Sequence, residues 1–203
     1  MDYTDRTDQE IVELALKGRE SAYRELLRRY QRPVLSLIHR MVRDRELAED
    51  LAQDTFVKVL NALDRYRPEF KFSSWIFKIA HNTALDALRR KEIPTLSLDG
   101  APDAVTDSAQ AATRPLVASE EQSPADFTAG RELGVQIEAA IARLRPEYRT
   151  AVTLYHVEGF AYEEIAETME LPLGTVKTFI HRARKELREH LEHLREEALG
   201  ARR

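Results

Sequence analysis

The segment between residues 172 and 190 carries cationic side chains that could hold DNA. This segment carries five basic and two acidic residues, a net charge of +3. On a helical wheel its apolar residues form one narrow stripe, and most of its cationic and polar residues lie on the other side. Arg and Lys hold phosphates, and the N-terminal residues of such a helix can reach base edges. The pattern predicts contact with duplex DNA, although a solvated face of an ordinary amphipathic helix has the same charges.

The residues just before this segment support the DNA interpretation. Residues 162–169 have the apolar spacing of a short helix, a tight break follows at residues 170–171, and Pro172 lies where a helix can begin. A short helix, a turn and a longer cationic helix are the parts of a helix-turn-helix. We therefore expect the second of these helices to lie in a DNA groove.

A second cluster, residues 65–77, interleaves basic and aromatic side chains. Rings beside cations suit unstacked bases, because bases stack on the rings while cations hold the backbone. Packing in a core is the competing use. We expect Phe72 and Phe77 to pack, whereas Trp75 suits either role equally. Helical spacing then divides the following residues into an inner side and an outer side. The inner side is Ile76, Ile79, Ala80, Thr83 and Ala87, and the outer side is Lys78, Asn82, Leu85 and Arg89.

A third pattern lies in residues 46–63, which alternate apolar and polar residues at helical spacing. The inner side is predicted to hold Ala48, Leu51, Ala52, Thr55, Phe56, Val59 and Leu63. The outer side holds Asp50, Gln53, Asp54, Val57 and Asn61. The simplest interpretation of this outer side is a solvated helix face, and a protein-docking face is the alternative.

The elements that carry these residues are predicted to be helices. Among 203 residues there are only seven glycines and eight prolines, with a hydrophobic fraction of 43% and a charged fraction of 33%, which favours an all-α protein. We expect a helix over residues 21–42 with a kink at Pro33, and a second helix over residues 45–65 capped by Asp44. A third is expected over residues 75–91, capped by Ser73 or Ser74.

Composition divides the chain into two helical domains joined by a long flexible linker. Residues 93–131 are acidic, contain four prolines and show no periodicity, which is typical of a linker. The domains predicted on either side are residues 1–92 and residues 132–203. Their net charges are +2 and -2, so neither is a general polyanion binder. DNA contacts should therefore be confined to single helix faces.

Several kinds of chemistry find no support in the sequence. The absence of cysteine excludes disulfides and thiol nucleophiles, and the histidines at 181, 190 and 193 have no carboxylates at metal-site spacing. A Gly-rich phosphate loop and a nucleophile–base pair are also missing, so we expect no cofactor, no metal and no catalysis by this chain. Residues 1–10 are polar, and no apolar run is long enough to insert in a membrane, which predicts a cytoplasmic protein.

Three motifs resemble the extracytoplasmic-function sigma factors of bacterial RNA polymerase, over roughly residues 8–92 and 132–197. Asp50-Leu-Ala-Gln53-Asp54 followed by Phe56 resembles the family segment that binds the clamp helices of the polymerase largest subunit. Phe72-Ser-Ser-Trp75-Ile-Phe-Lys-Ile-Ala-His-Asn82-Thr-Ala resembles the part that opens and reads the minus-ten element. Gly159-Phe-Ala-Tyr-Glu-Glu-Ile-Ala166 with Leu173-Gly-Thr-Val-Lys-Thr-Phe-Ile-His-Arg182-Ala-Arg184 resembles the domain that reads the minus-thirty-five element.

The resemblance implies a factor that binds core RNA polymerase and promoter DNA, directs initiation, and is held inactive by an anti-sigma factor. It implies minus-thirty-five contacts by Thr175, Lys177, Thr178, His181, Arg182 and Lys185. It implies minus-ten contacts by Trp75, Lys78, Asn82 and Arg89, and polymerase contacts by Asp50, Gln53, Asp54, Val57 and Asn61. The alternative is a transcriptional regulator that binds a duplex operator as a dimer through residues 132–197. Such a regulator does not need the outer side of residues 46–63.

Overall fold

The computed structural model describes the backbone of residues 3–92 and 124–200 and the side chains of residues 3–91 and 134–193. Within these ranges every secondary-structure element is a helix and none is a β-strand, which confirms the all-α prediction. The helices are α1 (Asp8–Leu16), α2 (Glu20–Val42), α3 (Arg45–Asn61), α4 (Phe72–Glu92), α5 (Pro124–Arg143), α6 (Pro146–His156), α7 (Tyr162–Met169) and α8 (Leu173–Gly200), with a short 3-10 turn at Leu63–Arg65.

The chain forms two compact units. One unit comprises Met1–Glu92 and Arg145–Arg184, and the other comprises Ile93–Leu144 and Lys185–Arg203. Residues 93–123 of the predicted linker lie outside the described residues. The predicted linker extended to residue 131, but α5 already begins at Pro124. Proline is well accommodated in the first turn of a helix, where its missing N–H has no partner to lose.

Helix α1 was not predicted, and a capping box marks its start. The Thr7 hydroxyl oxygen accepts a hydrogen bond from the Glu10 N–H at 3.3 Å, and the Glu10 carboxylate accepts one from the Thr7 N–H at 2.8 Å. The hydrogen bond from the Thr7 backbone lowers the pKa of Glu10. Arg29 of α2 forms an ion pair with Asp8 at 2.8 Å and donates to the Tyr3 carbonyl at 2.7 Å. These contacts fix the beginning of the chain to α2.

The starts of α3 and α4 test the predicted caps. Asp44 accepts from the Leu47 N–H at 3.1 Å, so its prediction as an N-cap is confirmed. The prediction of Ser73 or Ser74 as the cap of the next helix is wrong. Helix α4 begins at Phe72, and the Trp75 N–H donates to the Lys71 carbonyl at 3.2 Å. The Phe72 ring packs edge-on against Tyr30. Burial of this ring favours a helix that begins at Phe72.

The ends of the predicted helices also differ in places. Helix α2 runs without a break from Glu20 to Val42 and contains Pro33. Helix α3 ends at Asn61 instead of continuing to residue 65, and the 3-10 turn buries Leu63. The inner side predicted for α3 is otherwise correct, since its residues are buried or, at Phe56, half-buried.

The predicted helix-turn-helix is present. Helix α7 ends at Met169, and Glu170 follows in the left-handed region with φ of 55°. The Leu171 N–H then donates to the Ala166 carbonyl at 3.0 Å, which closes the turn. Glycine adopts this backbone conformation freely, whereas a residue with a Cβ does so at a cost. Glutamate at this position is therefore an unusual choice for a helix end.

Candidate nucleic-acid interface

The cationic side of α8 is exposed while its opposite side is buried. We call Thr175, Lys177, Thr178, His181, Arg182 and Lys185 the α8 face. All of these residues are exposed except Thr175, which is half-buried, whereas Val176, Ile180 and Ala183 on the other side are buried. Burial of this apolar stripe sets the rotation of the helix, because its side chains would otherwise remain in water. The predicted DNA contacts therefore point outward together.

Local contacts hold part of the α8 face in position. The Thr178 hydroxyl donates to the Gly174 carbonyl at 2.8 Å. Arg182 donates to the Tyr148 hydroxyl at 3.3 Å, and the Tyr148 ring packs against Phe179 with 5.2 Å between ring centroids. These contacts orient the hydroxyl of Thr178 and the guanidinium of Arg182 before any ligand binds.

The aromatic residues at the start of α4 form one cluster. Phe72 and Phe77 are both 2% exposed, which confirms that they pack in the core. Trp75 is half-buried, and its ring lies 5.6 Å from the rings of both Tyr66 and Phe72. Its two possible roles are therefore compatible, because part of the ring packs and part of it reaches the surface.

A cleft of about 610 Å³ opens beside the exposed part of Trp75. Its walls carry cationic, aromatic and acidic side chains: Arg65, Arg67, Phe70, Ser74, Trp75, Lys78, Glu167 and Glu170. Phe70 is 48% exposed, which is unusual for so large an apolar ring. Arg65, Arg67 and Phe70 were not among the predicted contacts, because helical periodicity does not apply to a loop. The signal was nevertheless present in the alternating basic and aromatic residues of this segment.

The other predicted contacts of α4 differ in their surroundings. The Lys78 amine forms an ion pair with Glu170 at 2.9 Å, and Arg89 is exposed near the end of the helix. Asn82 is half-buried, and its side-chain oxygen lies 3.2 Å from Nδ1 of His81. Burial lowers the pKa of His81. The structure thus brings Trp75 and Lys78 together at the cleft and places Asn82 and Arg89 farther along the same helix.

The outer side of α3 is a third exposed surface. The α3 face consists of Asp50, Gln53, Asp54, Val57 and Asn61, and all five side chains are exposed. Val57 is 56% exposed, and the neighbouring Leu60, which is not among the predicted residues of this face, is 38% exposed. Lys58 donates to the Thr83 hydroxyl at 3.0 Å and so fixes α3 against α4. An acidic surface with an apolar centre suits a basic protein partner better than nucleic acid.

Two other features are absent from the described part of the chain. Groups of three or more His, Cys, Asp or Glu side chains that could hold a metal ion were not found there. Among the same residues, none of the helices is sufficiently long and apolar to cross a membrane.

Comparison with known proteins identifies the family. Residues 26–92 match the family model of Sigma-70 region 2, and residues 134–187 match that of Sigma-70 region 4. These two segments make up more than half of the chain. The RNA polymerase sigma-H factor of Pseudomonas aeruginosa is 35% identical over 196 residues, which cover 96% of this chain and 99% of that protein. The ECF RNA polymerase sigma factor SigW of Bacillus subtilis is 32% identical over 183 residues, which cover 88% of this chain and 93% of that protein.

Two solved structures share the fold. CnrH, solved in complex with the cytosolic domain of CnrY, has a TM-score of 0.63 and 22% identity, with 92% of this chain and 97% of that chain covered. The sigma factor RpoE of Bartonella quintana, solved with the anti-sigma factor NepR, also has a TM-score of 0.63 and 22% identity, with 84% and 96% covered. The two family models and the curated relatives show that the chain belongs to the extracytoplasmic-function sigma factors of bacterial RNA polymerase.

Proposed function

We propose that this sigma factor divides promoter recognition among three helix faces. The α3 face binds core RNA polymerase, the α4 residues Trp75, Lys78, Asn82 and Arg89 hold the opened minus-ten strand, and the α8 face reads the minus-thirty-five element. The observation that carries this proposal is that α3 and α8 each expose a polar face of suitable charge over a buried apolar side, while α4 presents the half-buried Trp75 beside a cleft lined by cations.

The charges of the three faces support the division. The α8 face carries Lys177, Arg182 and Lys185, which attract phosphates and can donate to base edges. The cleft beside α4 combines Trp75 and Phe70 with Arg65, Arg67 and Lys78, a set that suits an unstacked base next to its backbone. The α3 face carries Asp50 and Asp54, which would repel DNA and suit a basic surface of polymerase.

The partners and the location follow from this role. Core polymerase synthesises the RNA, so this chain recruits the polymerase and positions it at the promoter without catalysing a reaction of its own. The chain acts in the cytoplasm, where core polymerase binds the chromosome. An anti-sigma factor is a further proposed partner, because the Bartonella quintana relative was solved with one. A duplex-binding regulator is not favoured, because a regulator of that kind does not need the segment that matches Sigma-70 region 2.

Transcription in a purified system tests the proposal directly. Core polymerase, a library of promoter fragments and this chain are combined, and the RNA products are sequenced. We expect RNA from a defined set of two-part promoters only when the chain is added. Equal RNA with and without the chain would overturn the proposed function.

The α8 face gives a sharper prediction. Lys177→Ala and Arg182→Ala should each weaken binding to minus-thirty-five duplex by about 1–3 kcal/mol if the side chains contact base edges. Both side chains are exposed and the bond from Arg182 to Tyr148 is long, so the melting temperature should hardly change. Fluorescence anisotropy with matched and scrambled duplexes is the measurement. Arg143→Ala, which removes an exposed charge from α5, is the control. Equal losses on both duplexes would reassign the residues to phosphate contacts.

A further inference from the structure

Residues 66–70, which we call the cleft loop, are closed by two nested hydrogen bonds. The Phe70 N–H donates to the Arg67 carbonyl at 3.1 Å, which makes a β-turn with Pro68 at its second position. Proline suits that position because its ring fixes φ near the value that the turn needs. Around this turn, the Tyr66 hydroxyl donates to the Phe70 carbonyl at 2.7 Å. A side chain at the start of the cleft loop therefore holds the backbone at its end.

The Tyr66 ring joins the cleft loop to the aromatic cluster at the start of α4. It packs edge-on against the buried Phe72, with 5.4 Å between centroids, and lies 5.6 Å from the Trp75 ring. Burial raises the pKa of Tyr66, and the nearby carboxylates of Asp8 and Glu69 raise it further. The hydroxyl therefore keeps its proton at neutral pH and remains a donor.

The cleft loop determines where three side chains of the cleft wall lie. Arg65 precedes Tyr66, Arg67 and Phe70 are the two ends of the β-turn, and Arg65, Arg67 and Phe70 all line the cleft. Because water around an exposed apolar ring is unfavourable, a mobile loop would let Phe70 fold onto nearby apolar surface. Its backbone is instead held at both the N–H and the carbonyl. The closed loop thus keeps an exposed ring at the cleft.

We propose that Tyr66 is a positioning residue for capture of the minus-ten strand, because its hydroxyl holds the cleft loop closed and so keeps the Phe70 ring at the cleft beside Trp75. This role rests on the proposed function and deepens it, since it names the group that shapes the wall of the cleft. Tyr66 acts through Phe70 and does not itself need to touch DNA. A wall that is formed before the strand arrives avoids the entropy cost of ordering a mobile loop during capture.

Tyr66→Phe tests this role because it removes the hydroxyl and keeps a ring against Phe72 and Trp75. The full chain is combined with core polymerase, and the rate at which the minus-ten region opens is followed by permanganate reactivity. We expect opening to slow about two- to tenfold, which is the range that one net hydrogen bond supports. Binding to closed promoter duplex should keep its wild-type affinity, because bases that are still stacked do not enter the cleft.

Tyr3→Phe is the matched control. The Tyr3 hydroxyl also takes part in a hydrogen bond, 2.7 Å from the Ser21 hydroxyl, but this bond joins the N-terminal segment to α2. Tyr3 is 5% exposed, so its variant should lose at least as much thermal stability as Tyr66→Phe. Its opening rate should nevertheless remain that of the wild type. Equally slow opening in the two variants would show a general effect of lost stability and would contradict the positioning role.

A double-mutant cycle asks whether Tyr66 acts through the Phe70 ring. Phe70→Ala removes the ring but keeps the backbone carbonyl to which Tyr66 donates. If the hydroxyl acts by placing the ring, Tyr66→Phe should slow opening much less in the Phe70→Ala protein than in the wild type. A hydroxyl that merely stabilises the fold would slow opening by the same factor in both backgrounds. Circular dichroism confirms that all the variants are folded.

Unchanged opening in folded Tyr66→Phe, or the same factor in both backgrounds, would overturn the positioning role. The proposed function is decided separately, by the RNA that the wild-type chain directs with core polymerase. Promoter-directed RNA together with either of these results would leave the proposed function intact and remove only the role of Tyr66. Absence of this RNA would overturn the proposed function and the role of Tyr66 with it.

Discussion

Charge reversal on the α3 face, Asp50→Lys with Asp54→Lys, is expected to abolish binding to core polymerase in a protein that remains folded. Both carboxylates are exposed, so their contribution to stability is limited to a few tenths of a kcal/mol through the helix dipole. At an interface with a basic surface, reversal replaces attraction by like-charge contact, which costs several kcal/mol. Affinity of the full chain for core polymerase is the measurement, with circular dichroism as the check on folding.

A matched control distinguishes an effect of the α3 face from an effect of the change in net charge. Glu13→Lys with Asp64→Lys makes the same change in net charge at exposed positions on α1 and the 3-10 turn. This control should bind polymerase normally, and both double variants should bind minus-thirty-five duplex at least as well as the wild type. Wild-type affinity for polymerase in the folded Asp50→Lys, Asp54→Lys protein would remove the main support for the α3 face and favour a duplex-binding regulator.

The second large effect is expected on α4, at Trp75 beside the cleft and at Asn82 farther along the helix. Trp75→Ala and Asn82→Ala should impair opening of the minus-ten region more than binding to closed duplex, because stacking and strand capture begin only when bases leave the helix. Loss of a stacked ring costs about 1–3 kcal/mol per base, or roughly 5- to 150-fold in open complex. Permanganate reactivity of the minus-ten thymines, with polymerase present, measures opening.

Packing complicates the interpretation of Trp75, since its ring also contacts Tyr66 and Phe72. Trp75→Phe keeps an aromatic face against both neighbours and serves as the control. It should retain most of the opening, while thermal unfolding shows how much stability each variant loses. Permanganate footprints of wild-type strength in a folded Trp75→Ala protein would contradict the proposed role of the ring.

Periodicity predicted those parts of the molecule in which one helix side is buried along its length. The inner side of α3, from Ala48 to Val59, and the stripe of α8, from Val176 to Ala183, were found this way because burial repeats every three to four residues. The same spacing located the exposed faces. Their roles toward polymerase and DNA remain predictions.

Features set by tertiary contacts were missed. The cap of α4 was misplaced because the burial of Phe72 depends on Tyr30, which lies in another helix. Helix α1 was missed although its Thr7–Glu10 capping box is readable in the sequence, since a helix of nine residues shows little periodicity. The pair of Lys78 and Glu170 could not be predicted, because it joins residues that only the packing of α7 on α4 brings together.

The left-handed backbone at Glu170 places two selective pressures on one residue. Glycine there would relieve about 1–2 kcal/mol of steric cost and give a more robust helix-turn-helix. It would also remove the carboxylate that pairs with Lys78. The stability of the turn and the ion pair with Lys78 therefore favour different side chains at a single codon. Laboratory evolution for heat resistance is therefore expected to replace Glu170 by glycine only where the loss of this ion pair is tolerated.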